Sequence, residues 1–243
     1  MKLSPIEIHV AGTRLGGQLV EPLTGIPGVL FIHGWAGSQE RDMRRATMLA
    51  RLGFVCLTFD MRGHGENAGG LRRVTREENL QDVLAAYDAL VAHRQVDPAS
   101  IAVVGSSYGG YLAVLLTARR PVRWLALRVP ALYRDEDWQV PKFELDRREL
   151  AAYRQRIISH EVNVAIQQAR RFAGDVLIVE SEQDEIVPHP VIASYLAALI
   201  SARSVTYRIL ADADHALSSP ESQRQYDELL ARWMREMIFG ARS

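Results

Sequence analysis

Residues 101–118 combine three features that leave few ways to fold. An apolar run, Ile101-Ala102-Val103-Val104, is followed by Gly105-Ser106-Ser107-Tyr108-Gly109 and then by a second apolar stretch to Ala118. The first run has strand length and the last has helix length, so the G-x-S-x-G pattern sits where a strand turns directly into a helix. Such a turn strains the central residue, and glycines two positions either side let strand and helix approach without Cβ clashes. A serine there projects its hydroxyl beyond the strand end, over a helix N-terminus. Ser107 is therefore the candidate nucleophile. A phosphate-binding turn is the competing reading, but Gly109-Gly110-Tyr111 stands where Gly-Lys-Ser/Thr would be needed. Ser106 has the wrong offset from the glycines.

The rest of the chain alternates in the same manner. Ile6–Val10 and Gly16–Glu21 alternate around Gly12 and read as an antiparallel hairpin. Apolar runs at 28–32, 54–59, 101–104, 124–129 and 175–180 suit strands covered on both faces, and 204–210 reads as a last strand. Between them lie helical stretches. One, with Ser38 as its cap, is expected to run to about Leu52. A second opens on the capping box Thr75/Glu78, with Leu80, Val83, Leu84, Tyr87, Leu90 and Val91 at helical spacing. Others cover Tyr108–Ala118, about Val191–Ile200 and about Pro220–Phe239. This order predicts a single α/β domain over 1–243, with a mostly parallel, twisted, eight-stranded sheet and helices on both faces. From about 130 to 172 charges crowd and strand signals vanish. That stretch is expected to be a short helical cap over the C-terminal edge of the sheet, where open α/β sheets bind ligands.

A serine nucleophile needs a base, and the base needs an acid. His215, in Ala213-Asp214-His215-Ala216 after the last strand, is the preferred base among seven histidines. His33 and His64 sit in strand-end turns and read as structural. His189 is the nearest rival. Asp184, in the loop after the 175–180 strand, is the preferred acid because the chain order serine, acid, histidine then holds. Glu180, Glu182 and Glu185 are local alternatives. Backbone N–H groups of Tyr108, at a helix start, and of Trp35, in His33-Gly34-Trp35-Ala36-Gly37, are the expected oxyanion donors. Trp35, Trp138 and Phe143, with Leu145 and Tyr153, are candidates to line a substrate pocket.

Composition narrows the function classes. The 29 basic and 29 acidic residues cancel, giving no electrostatic footprint for nucleic acid. The cluster Arg147, Arg148, Arg154 and Arg156 reads as the solvated face of a helix. Cys56 is the one cysteine; it lies in an apolar run and is expected to be a core residue. CxxC and HExxH patterns are missing, so no metal or other cofactor is expected. The first ten residues hold no apolar leader core, and no stretch nears the ~18 apolar residues of a membrane helix, so a cytoplasmic location without membrane contact is the expectation.

Together, His33-Gly34-Trp35-Ala36-Gly37, Asp60-Met61-Arg62-Gly63-His64-Gly65, Gly105-Ser106-Ser107-Tyr108-Gly109, Asp184 before Val187-Pro188, and His215 resemble the α/β-hydrolase superfamily from His33 to about His215. The texture is similar to small carboxylesterases and to the catalytic domains of prolyl-oligopeptidase-like hydrolases. That resemblance implies a cofactor-free serine hydrolase with oxyanion donors at Trp35 and Tyr108. The serine at the elbow departs from haloalkane dehalogenases, which use aspartate, and from dienelactone hydrolases, which use cysteine. No propeller-like domain precedes the core in these residues, which lowers the expectation of peptide cleavage. Hydrolysis of small to medium carboxylic esters through an acyl-enzyme is the leading expectation. A thioesterase or an amidase/peptidase would use the same groups, and a ligand-binding module on this scaffold is the reading from another class. A homodimer is left open.

Overall fold

The computed structural model describes residues 2–21 and 27–241. Among them, eight strands form one sheet: β1 (Lys2–Val10), β2 (Thr13–Glu21), β3 (Gly28–Ile32), β4 (Val55–Phe59), β5 (Ile101–Ser106), β6 (Trp124–Arg128), β7 (Asp175–Gln183) and β8 (Ser204–Asp214). Their order across the sheet is β1-β2-β4-β3-β5-β6-β7-β8. The hairpin β1–β2 is antiparallel and joins β4 antiparallel; every later pair is parallel. Seven α-helices accompany the sheet: α1 (Glu40–Ala50), α2 (Arg76–Val91), α3 (Tyr108–Thr117), α4 (Arg147–Arg154), α5 (Val164–Arg171), α6 (His189–Ala198) and α7 (Pro220–Ala241).

The continuous apolar runs become strands buried at every position, as in β3, β4 and β6. Successive side chains of a strand point to opposite faces, so each run feeds two cores. From β3, Leu30 and Ile32 join Leu80, Val83, Leu112, Ile166 and Ile192 of α2, α3, α5 and α6. Val29 and Phe31 join Leu49 of α1 and Leu230 and Trp233 of α7 on the other face, together with the buried Cys56. Each such fully buried aliphatic or aromatic side chain contributes about 1.5–3 kcal/mol relative to exposure. The β1–β2 turn is the two-residue Ala11-Gly12, both at positive φ (46° and 77°), the twist a tight hairpin requires.

Several local expectations differ from the structure. Helix α1 starts at Glu40, after Gln39, and Ser38 is not its cap. A distant carboxylate fixes the residue before the helix: Asp60 Oδ1 accepts the Gln39 N–H at 2.7 Å. Strands β7 and β8 run three and four residues further than their apolar runs, to Gln183 and Asp214, because their mutual ladder continues to that pair beyond the apolar positions. The 130–172 stretch has two parts. Helix α5, opened by the Asn163 side chain bonding the Ile166 N–H, packs on α3 and α6 and is the crossover helix between β6 and β7. The turn Lys142–Glu144 and α4 lie over the sheet edge. Arg154 does not belong to a solvated face. It is buried, and donates from Nε to Leu132 O (3.1 Å) and from Nη1 to Ile186 O (3.1 Å).

Candidate active site

Ser107 stands between β5 and α3 with φ 52° and ψ −115°, a strained backbone for a residue with a Cβ. Three main-chain bonds hold it there. Its N–H donates to Arg128 O (2.9 Å), and its carbonyl accepts from Tyr111 N (3.1 Å) and Ala131 N (2.9 Å). The flanking glycines do what the spacing required. A Cβ at Gly105 would lie 2.5 Å from Gly109 O, and one at Gly109 would collide with Ile32 O and lie 2.5 Å from His33 O. Gly109→Ala therefore forces β3 and α3 apart. Overpacking of this kind costs about 3 kcal/mol, which for a domain of this size lowers Tm by about 6–12 °C. Calorimetry measures it, and an unchanged Tm would show that strand and helix separate freely.

The loops after β7 and β8 bring two more side chains to the serine. His215 Nε2 lies 3.0 Å from Ser107 Oγ, and His215 Nδ1 lies 2.7 Å from Asp184 Oδ2. A carboxylate only accepts, so Nδ1 carries the proton and Nε2 presents its lone pair to the hydroxyl. Asp184 is itself fixed: its Oδ1 accepts the N–H groups of Ile186 (2.9 Å) and Val187 (2.8 Å). The Asp184 side chain is 2% exposed and that of His215 19%, so the acid is shielded and the base faces the cleft. The rival His189 is taken up elsewhere, with Nδ1 3.0 Å from Glu180 Oε1.

Opposite the serine, the loop after β3 is braced by His33. Its Nε2 accepts the Met61 N–H (3.3 Å), which places the proton on Nδ1, donating to Gly34 O (2.8 Å). Burial pushes its pKa down, so this ring stays a neutral strut. His64 is likewise internal, its pKa pushed down to about 4, chiefly by burial. The Trp35 N–H donates to no protein atom among the described residues. Tyr108 is the first residue of α3, where an N–H has no intrahelical acceptor. Ala36 (φ 55°), Val129 (φ 40°) and Leu217 (φ 52°) gather further backbone strain around the same place.

A cleft of about 630 Å³ opens over Ser107 and His215. Trp35 lines it, edge-on to the rings of His64 (centroids 4.7 Å apart) and Tyr108 (5.5 Å). Trp138 and Phe143 do not line it. Trp138 turns beneath the cap to a separate cavity of about 360 Å³ with Tyr111 and Leu115, its ring 5.8 Å from the Arg76 guanidinium. Phe143 is 44% exposed and lies against Arg72. The walls that sequence reasoning missed include Tyr133, Lys142, Leu150, Arg154 and Ile186. Lys142 adjoins Phe143 in the chain, but in a stretch dense with charge a lone lysine carries no mark of burial.

A model of the prolyl oligopeptidase family matches residues 40–240. An uncharacterised protein of Mycobacterium tuberculosis is 34% identical over 179 residues, covering 73% of this chain and 60% of that protein. The chain thus spans about 60% of the length of the curated relative it matches. Among solved structures, Est1E from Butyrivibrio proteoclasticus with ferulic acid bound superposes with a TM-score of 0.74 at 20% identity, covering 96% of this chain and 99% of that one. The dienelactone hydrolase of Anabaena variabilis superposes with a TM-score of 0.71 at 20% identity, covering 97% of each chain. At such identities these two neighbours speak to the fold. The family match, with the strand order and the serine elbow, leads to one conclusion: the chain belongs to the prolyl oligopeptidase family and has the α/β-hydrolase fold.

Proposed function

We propose that this chain is a serine esterase acting on small to medium carboxylic esters through an acyl-enzyme. The observation that carries the reading is the unbroken relay from Asp184 through His215 to Ser107 at the floor of a cleft. Ser107 Oγ attacks the ester carbonyl as its proton passes to His215 Nε2. The new oxyanion takes the N–H groups of Trp35 and Tyr108, donors whose individual loss costs about 2.7–4 kcal/mol in such sites. His215 then protonates the departing alkoxide. Water, deprotonated by the same imidazole, attacks the acyl-enzyme and frees Ser107. Asp184 holds the imidazolium through its bond to Nδ1.

Hydrolysis of p-nitrophenyl esters from acetate to dodecanoate tests this reading. The expected result is turnover with an optimum at short to medium chain length, because the cap residues Leu150 and Arg154 bound the cleft. A folded protein inert to every ester would overturn it. A second reading, cleavage of amides, is favoured by the family match. A higher kcat/KM on an N-acylamino-acid p-nitroanilide than on the matching ester would establish it.

A further inference from the structure

The cleft beside Ser107 is lopsided in charge. Asp42 is the one acid among the described residues that line it, and Asp42 is paired with Arg45. Arg44 and Arg45 are tied to Asp227. Lys142 and Arg154, from the cap, have no carboxylate within 4.0 Å among the described residues. The Lys142 ammonium sits 4.1 Å from the Trp35 ring centroid and 5.6 Å from those of Tyr108 and Tyr133. Arg154 lies over the same Tyr133 ring at 4.9 Å. Two cations thus flank one aromatic wall, beside the residue that follows the nucleophile and beside the oxyanion loop.

Aromatic faces replace part of an ammonium's lost hydration, but they accept none of its three N–H bonds. Burial, and then the charges of Arg154, Arg76 and Arg147, push the Lys142 pKa down to about 7. Arg154 has the carbonyls of Leu132 and Ile186 as acceptors, whereas Lys142 has no acceptor among the described residues. A cation held without a partner in a ligand cleft is stabilised when the ligand brings the counter-charge.

We propose that Lys142, supported by Arg154, binds a carboxylate on the substrate, so that the preferred substrates are anionic esters. This rests on the esterase reading and names the substrate class of that site. The carboxylate takes N–H bonds from the lysine while the ester carbonyl lies at Ser107.

Two matched pairs of substrates test it. The first is p-nitrophenyl hydrogen glutarate against p-nitrophenyl valerate, with the charge on the acyl side. The second is 4-carboxyphenyl butyrate against 4-carbamoylphenyl butyrate, with the charge on the leaving group. The expected result is that the charged member of at least one pair has the higher kcat/KM, and that Lys142→Met cuts that ratio by about 10- to 100-fold, the worth of a hydrogen bond to a charged group. The ratio should also fall as pH rises through about 7, where the Lys142 ammonium loses its proton. The other charged and titratable groups that face it are Arg76 of α2, Arg147 and Arg154 of α4, His64, whose pKa is pushed down to about 4, and Tyr108 and Tyr133, both raised by burial. His215 serves both members of a pair, so its contribution cancels in the ratio. Neutral esters preferred in both pairs, or ratios untouched by Lys142→Met, would overturn the proposal.

Calorimetric titration of Ser107→Ala with monomethyl glutarate separates this idea from the esterase reading. Heat that disappears in the Ser107→Ala/Lys142→Met protein supports the carboxylate site even if no ester is turned over. Equal binding by both proteins argues against it even if esters are.

Discussion

Ser107→Ala is expected to lower kcat on a p-nitrophenyl ester by about 10⁴- to 10⁶-fold with little change in KM. The hydroxyl makes a single side-chain hydrogen bond, to His215 Nε2 at 3.0 Å, and nothing else in the cleft supplies an oxygen nucleophile on the relay. Alanine keeps the Cβ, so the strained backbone at φ 52° is neither relieved nor worsened. His215 faces the cleft and does not become a buried group without a partner. The variant therefore keeps its Tm, and the loss belongs to chemistry. The relay acts as a unit, so adding His215→Ala to Ser107→Ala should cost almost nothing more. A double variant far slower than either single one would show two independent routes to turnover.

Asp184→Asn is expected to lower kcat about 10⁴-fold, and the hydrogen bonds around Asp184 say why. Oδ1 accepts two main-chain N–H groups, from Ile186 and Val187. Only the oxygen of an asparagine amide can take that place. Its NH2 group is then turned toward His215, at the position of Oδ2, now 2.7 Å from Nδ1. Nδ1 must accept there, the ring proton moves to Nε2, and Ser107 loses its base. The geometry survives while the tautomer is wrong. Substrate affinity and Tm should change little, and a loss of less than tenfold would mean that Asp184 does not set the tautomer.

Much of this was legible because burial leaves a mark in the sequence. Strands buried on both faces carry unbroken apolar runs, which made β3 to β6 readable, and the Thr75/Glu78 capping box is present as expected, with both reciprocal bonds formed. The elbow was readable because its two glycines are demanded by carbonyl oxygens that any Cβ would strike. The start of α1 was not, since Gln39, the residue before it, is held by Asp60, 21 residues along the chain, which no local rule sees. The ends of β7 and β8 were not, because their mutual pairing, not burial, extends them over polar residues.

The cap shows the same limit. Trp138 and Phe143 were chosen for size and apolarity, and neither lines the cleft: one packs beneath the cap, the other lies in solvent against Arg72. The residues that do line it include a lysine and an arginine whose burial comes from tertiary packing over Trp35 and Tyr133. Charge in a helical segment usually means a solvated face. Here Arg154 turns inward because the carbonyls of Leu132 and Ile186 are waiting for it.

Activation of Ser107 as the nucleophile is directly testable. A fluorophosphonate forms a stable covalent adduct with a serine whose hydroxyl is activated by a neighbouring base. Intact-protein mass spectrometry after exposure, followed by peptide mapping, should find one phosphonyl group per chain, on the peptide that carries Ser107. Labelling should vanish in Ser107→Ala and slow sharply in Asp184→Asn. An unlabelled wild-type protein, or an adduct on any other residue, would contradict the account.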